Sequence, residues 1–288
     1  MTEPRLHHVQ CLGTQGLHRM AYWEWGDPAN TKVLVCAHGL SRQGRDFDTL
    51  AQALVGDYRV VCPDVVGRGQ SDWRADAMGY NIPAYVADMV TLLARLDAEV
   101  IDWVGTSMGG LIGLGLAALP RSPLRRLVLN DVGPTLEPVS LARIGTYLGQ
   151  PAHWPTEQAA AEALWAISQS FGPHSSEQWL ALTRPQLKRD GDGFKPHYDP
   201  AIAIPFRMIT PELAQAGQAA LWAAYDSLRL PVLVIRGAQS DLLSPATAQA
   251  MTERGPRARL IEFAGVGHAP TLVQPDQVRA VAEFLRGP

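Results

Sequence analysis

The stretch IDWVGTSMGGLIGLGLAALP, residues 101–120, changes character in its middle. Ile101 to Gly105 reads as a strand that leads directly into a helix. Ser107 to Leu119 reads as a helix, closed by Pro120, whose ring and missing N–H do not continue one. Between them Gly105-Thr106-Ser107-Met108-Gly109 fits G-x-S-x-G. A sharp strand-to-helix turn crowds the backbone and leaves no room for β-carbons at the two glycines. It lifts the Ser107 hydroxyl to the carboxyl edge of the sheet, beside a helix N-terminus.

Working outward, the same alternation recurs. VLVCA (33–37) is a continuous apolar run, followed by a helical stretch over 47–55 and by RVVCPD (59–64). A Gly-rich turn leads to a helix over 82–96, with Pro83 in its first turn. LRRLVLND (124–131) is a further strand. The rhythm stops after Gly133 and resumes with LPVLVIRGAQSD (230–241), a helix over 245–254, the strand ARLIEFAG (258–265) and a helix over 277–285. Between them apolar spacing is helical, and Thr156-Glu157, Ser176-Glu177 and Thr210-Pro211-Glu212 carry helix-start chemistry. The expectation is an α/β fold with a doubly wound, mostly parallel sheet. Its core is 1–133 plus 230–288, interrupted by a helical cap over 134–229.

A serine hydroxyl is a weak nucleophile and needs a base held in one tautomer by a third group. His268, in GVGHAP (265–270), follows the last strand and so reaches the same sheet edge as Ser107. Of the other histidines only His38 occupies a post-strand loop of the core, and it is read as structural. Asp241, after the strand VLVIR, is the expected third member. Asp131, ending the strand LVLN, is its competitor. The backbone N–H groups of Leu40 and Met108 are the expected oxyanion donors.

The set HGL (38–40), PDVVGRGQSDW (63–73), GTSMGG (105–110), GAQSD (237–241) and GVGHAP (265–270) resembles the capped α/β-hydrolase superfamily over nearly the whole chain. Ser107 stands where haloalkane dehalogenases and epoxide hydrolases carry aspartate. His38-Gly39-Leu40-Ser41-Arg42 departs from the HGGPG of proline iminopeptidases and the HGxGPG of C–C bond hydrolases. The branch it looks like is that of carboxylesterases, enol-lactonases and cofactor-free perhydrolases. The resemblance implies a serine esterase acting through an acyl-enzyme on small to medium carboxylic esters. A lactonase or C–C hydrolase using the same residues is the alternative, and a catalytically silent ligand-binding protein the alternative of another class. Trp154, Trp165, Tyr147 and Phe206 of the cap are candidates for an apolar substrate pocket. Arg143 and Arg207 are read as surface charges, and the polar residues of 63–73 as ordering their turn.

Composition bounds the rest. The 288 residues are 47% hydrophobic and 18% charged, with net charge -3. No basic cluster offers a nucleic-acid surface. The three cysteines, Cys11, Cys36 and Cys62, are odd in number and two sit in apolar runs, which suits free thiols in a reducing compartment. The N-terminus lacks a signal-peptide pattern and LIGLGLAAL (111–119) is too short to span a bilayer, so a cytoplasmic protein without membrane partners is expected. H-E-x-x-H, C-x-x-C and G-x-G-x-x-G are all missing, so no metal and no cofactor is expected. Oligomeric state is not legible.

Overall fold

A computed structural model of the chain describes residues 3–287. Its main sheet has eight strands: β1 (Arg5–Gly13), β2 (Gly16–Trp25), β3 (Lys32–Ala37), β4 (Arg59–Pro63), β5 (Val100–Thr106), β6 (Leu124–Asn130), β9 (Val232–Gly237) and β10 (Arg259–Phe263). They lie in the order β1-β2-β4-β3-β5-β6-β9-β10. The β1–β2 and β2–β4 pairs are antiparallel and every other pair is parallel. The hairpin of β1 and β2 was not expected from the sequence.

Side chains along the central strands alternate between two apolar layers, as the two-residue period of a strand requires. Val33, Val35, Trp103, Leu127, Leu129 and Val234 face one layer. Met89 and Leu92 of α2 (Ile82–Arg95) and Ile112 of α3 (Met108–Ala117) close it. Leu34, Cys36, Val104, Val128, Leu233 and Ile235 face the other. There Leu50 and Leu54 of α1 (Asp48–Leu54) meet Val281 and Leu285 of α10 (Pro275–Arg286). Burial on both faces explains the apolar runs over 33–37, 60–62, 127–129 and 232–235, while β5 is interrupted by the buried Asp102.

Between β6 and β9 the chain forms α4 (Pro138–Tyr147), α5 (Glu157–Ser168), α6 (Ser176–Thr183), α7 (Ala203–Arg207) and α8 (Pro211–Ser227). α5, α6 and α8 begin at side-chain caps from Thr156, Ser175 and Thr210. This segment is not wholly helical. β7 (Leu187–Asp190) and β8 (Gly193–Pro196) pair antiparallel in a second sheet, joined by Gly191 and Asp192. Both strands are largely half-exposed, so they lack the apolar run that marks the core strands. The final β-α unit adds α9 (Pro245–Glu253) before β10. The three cysteines are free and buried. No helix among the described residues is long and apolar enough to cross a membrane.

Candidate active site

Ser107 stands at the turn from β5 into α3, near the middle of the sheet. Its backbone is at φ 52° and ψ -117°, a region that costs a non-glycine residue free energy. The surrounding structure holds it there. A β-carbon on Gly105 would run into the backbone of Gly109 and Gly110, and one on Gly109 into the carbonyl of Ala37. The Ser107 N–H donates to the Asn130 carbonyl at 3.0 Å, fastening the turn to the neighbouring strand β6. The elbow thus exists because two glycines let α3 start against β3 and β5.

His268 lies in the loop after β10, its side chain 11% exposed. Its Nε2 is 3.0 Å from Ser107 Oγ and its Nδ1 is 2.7 Å from Asp131 Oδ2. The loop is tied down on both sides. The Gly267 N–H donates to the Ser170 carbonyl, Ser170 Oγ to the His268 carbonyl, and Asn130 Nδ2 to the Pro270 carbonyl.

The carboxylate at His268 is therefore Asp131, which corrects the expectation of Asp241. The cause lies in how far each aspartate stands from its strand. Asp131 follows β6 directly, and at φ 55° the chain turns its carboxylate back over the sheet edge. It is fully buried, and accepts from the Gly237 N–H at 2.8 Å and from Ser240 Oγ at 2.6 Å. Asp241 lies four residues beyond the end of β9, past the turn that supplies those two donors. Its oxygens accept instead from Arg143 of α4, Nε at 2.7 Å and Nη2 at 2.9 Å, and from Ser140 Oγ at 3.3 Å. Partial burial pushes the Asp241 carboxyl up, but the Arg143 hydrogen bonds and charge outweigh it and hold it below the ordinary value. Arg143, read from the sequence as a surface charge, is thus a bidentate partner.

His38 directly follows β3 as a wholly buried ring. Its Nδ1 lies 2.7 Å from the Gly39 carbonyl and its Nε2 accepts the Val65 N–H at 2.9 Å, which assigns the Nδ1–H tautomer. Burial drives its pKa down to about 3, so the ring is neutral and structural. It fixes the Gly39-Leu40 loop across Ser107. The Leu40 N–H has no partner among the described residues, and the Met108 N–H, first of its helix, has none within it.

The expected pocket residues are scattered. Trp165 packs edge-on against Trp179, 5.0 Å between ring centroids, in a cluster with Phe171 and Val273. Trp154 pairs through its backbone with Phe194 of β8. Tyr147 and Phe206 pack against the main core layer. None of the four has a hydrogen bond to Ser107, His268 or Asp131. Sequence reading missed Ser240, Asn130 and Ser170. Only Ser240, beside the flagged Asp241, had any signal.

One cluster has a metal-like composition. Cys11, His18 and Asp88 bring their ligating atoms within 4.8 Å. Asp88, however, is bonded to Arg74 Nη2 at 2.9 Å and faces His18 at 3.0 Å, and burial pushes the Cys11 thiol up to about 12. The carboxylate already has its cation, and the thiol is far from the thiolate that a metal needs.

A serine on a strand-to-helix elbow, hydrogen-bonded to a histidine in the loop after the last strand, is the arrangement on which the comparison with known proteins turns. The family model described as alpha/beta hydrolase family matches residues 34–281. The chain belongs to this family. A 3-hydroxybutyrate-oligomer hydrolase of Cupriavidus necator is 57% identical over 99% of this hydrolase and 98% of its own length. An Escherichia coli esterase, YbfF, is 27% identical over 89% of the chain and 94% of its own. The crystal structure of an alpha/beta hydrolase from Novosphingobium aromaticivorans superposes with a TM-score of 0.86 at 35% identity, covering 99% of both chains.

Proposed function

We propose that this hydrolase cleaves carboxylic esters through a Ser107 acyl-enzyme, and that short oligoesters of 3-hydroxy acids are its substrate class. The observation that carries the chemistry is the unbroken line Ser107 Oγ–His268–Asp131, at 3.0 and 2.7 Å. The similarity to the Cupriavidus necator enzyme over almost the full length of both chains supports the substrate class.

Ser107 Oγ attacks the ester carbonyl as His268 Nε2 takes its proton, and Asp131 stabilises the imidazolium through Nδ1–H. The negative oxygen of the tetrahedral intermediate meets the N–H groups of Leu40 and Met108. Collapse expels the alcohol, protonated by His268, and leaves the acyl group on Ser107. Water, deprotonated by the same histidine, then frees the acid. In an oligomer of 3-hydroxybutyrate both leaving alcohol and freed acid are chain fragments, so each cycle shortens the oligomer. Residues 134–229 act as the cap. Ser170 against the His268 loop and Arg143 against Asp241 support that reading.

The test pairs a variant with a substrate series. Ser107→Ala should lose at least ~10⁴-fold in kcat with an unchanged circular dichroism spectrum, leaving only residual catalysis from binding and donors. Wild type should turn over linear 3-hydroxybutyrate dimers and trimers with higher kcat/KM than p-nitrophenyl palmitate. Activity of Ser107→Ala within tenfold of wild type removes the acyl-enzyme, and a preference for palmitate removes the substrate class.

A further inference from the structure

Arg68 is fully buried, yet among the described residues no carboxylate lies within 4 Å of its guanidinium. Burying an unpaired cation is costly as a rule, so buried charges are usually paired. Arg68 is instead held by neutral groups. Its Nη1 donates to the Val66 carbonyl at 2.8 Å and to Tyr85 Oη at 2.9 Å, and the guanidinium lies 5.1 Å from the Tyr85 ring centre and 5.8 Å from that of Tyr80. Its two remaining contacts are specific. Nε donates to the Leu40 carbonyl at 2.8 Å, and Nη2 reaches Met108 Sδ at 3.5 Å. These are the two residues whose N–H groups were assigned to the oxyanion.

We propose that Arg68 is a positioning residue of the oxyanion hole: it locks Leu40 and Met108 in place from behind and supplies an unneutralised positive charge to the site. The inference rests on the acyl-enzyme reading given above. Pulling on the Leu40 carbonyl fixes the plane of the loop that carries its N–H, and gripping the Met108 side chain fixes the first residue of α3. In a dry interior the charge acts at short range on whatever negative charge develops in front of it. Burial is the main cause that keeps His38 neutral, and the nearby Arg68 charge acts in the same direction. A purely structural anchor for the 63–73 turn would need neither the charge nor the grip on both donor residues. The turn already has its own ties, Gly67 N–H to the Asp72 carbonyl and Gly69 N–H to the His197 carbonyl.

The experiment compares wild type, Arg68→Lys and Arg68→Met. Loss of one direct oxyanion donor costs ~10²–10³ in rate. For a residue acting behind the donors, Arg68→Met should lower kcat by about 10- to 100-fold with KM within about threefold. An alkyl boronic acid, whose tetrahedral adduct on Ser107 places an oxygen in the hole, should lose affinity in proportion to kcat/KM. Arg68→Lys, which keeps the charge, should recover part of both, and it carries the test if Arg68→Met does not fold. Melting temperature monitors the fold. Unchanged boronate affinity in a folded variant, or a rise in KM with kcat intact, overturns the role of Arg68. Failure of the wild type to be labelled at Ser107 by a p-nitrophenyl phosphonate overturns the acyl-enzyme reading instead, and is scored separately by intact mass.

Discussion

The loops after β6 and β9 each deliver an aspartate to the carboxyl edge of the sheet, and the two carboxylates have opposite surroundings. Asp131 is sealed, bonded to a backbone N–H, a hydroxyl and an imidazole. Asp241 is about a third exposed and neutralised by Arg143 from the segment between the strands. Of the two, only Asp131 is hydrogen-bonded to His268. What separates them is the neutralising partner. A carboxylate already saturated by a guanidinium has little left to orient a histidine, whereas one held by neutral donors keeps its charge for the imidazole beside it. The lesson is that a strand end selects candidates, and the groups facing each carboxylate decide between them.

The comparison breaks most sharply at Asp131. Asp131→Asn should lower kcat by ~10⁴, the scale seen when a triad histidine is left in the wrong tautomer. Stopped-flow acylation with an activated ester checks it. A fall below tenfold, with Asp241→Asn falling further, would reverse the assignment.

A second contrast sets His268 against His38, also at a strand end. The folded state keeps His38 unprotonated down to about pH 3, while the unfolded chain takes up a proton near 6.5. Within that window the unfolded state binds more protons, so stability falls as pH drops, by about 1.4 kcal/mol per unit from this group. Asp64 opposes it, since burial raises its pKa to about 6. Comparing wild type with His38→Gln cancels that term. Urea unfolding at pH 7, 6 and 5 should show the gap between the two chains narrowing as pH falls, and a constant gap would contradict a buried neutral ring.

Asp241→Asn should produce the smallest change. Its pair with Arg143 is over a third exposed at the guanidinium, and such pairs contribute about 0–1 kcal/mol. We expect kcat within threefold of wild type and a melting temperature lowered by a few degrees at most. A loss above a hundredfold would show that the hold of α4 on the loop after β9 matters to chemistry.

Most of the core was legible because β3, β4, β6 and β9 are buried on both faces and carry apolar runs over 33–37, 60–62, 127–129 and 232–235, with β5 broken only by Asp102. Ser107 and His268 were legible because elbow chemistry and a post-strand histidine are local signals. The β1–β2 hairpin was not, since it lies at the sheet edge and β1 buries only Val9 and Cys11 of its nine residues. Alternation of those two with Met20 and Tyr22 around Gly13 and Gly16 was its faint signature. β7 and β8 hid for the same reason, although Asp190-Gly191-Asp192-Gly193 is hairpin-turn chemistry. The choice between Asp131 and Asp241 turned on Arg143 and Ser240, whose reach toward these carboxylates is a property of the packed loops and not of any spacing.

The hydrogen bonds that join His268 to Ser107 and Asp131 span 161 and 137 residues of chain. Contacts of such separation must wait for a large loop to close, which makes them slow and late in folding. The first half of the chain contains the elbow and its strands, but His268 arrives only when β10 has docked on β9. Recovery of turnover during refolding therefore reads the docking of the C-terminal strand, and should lag behind the return of secondary structure.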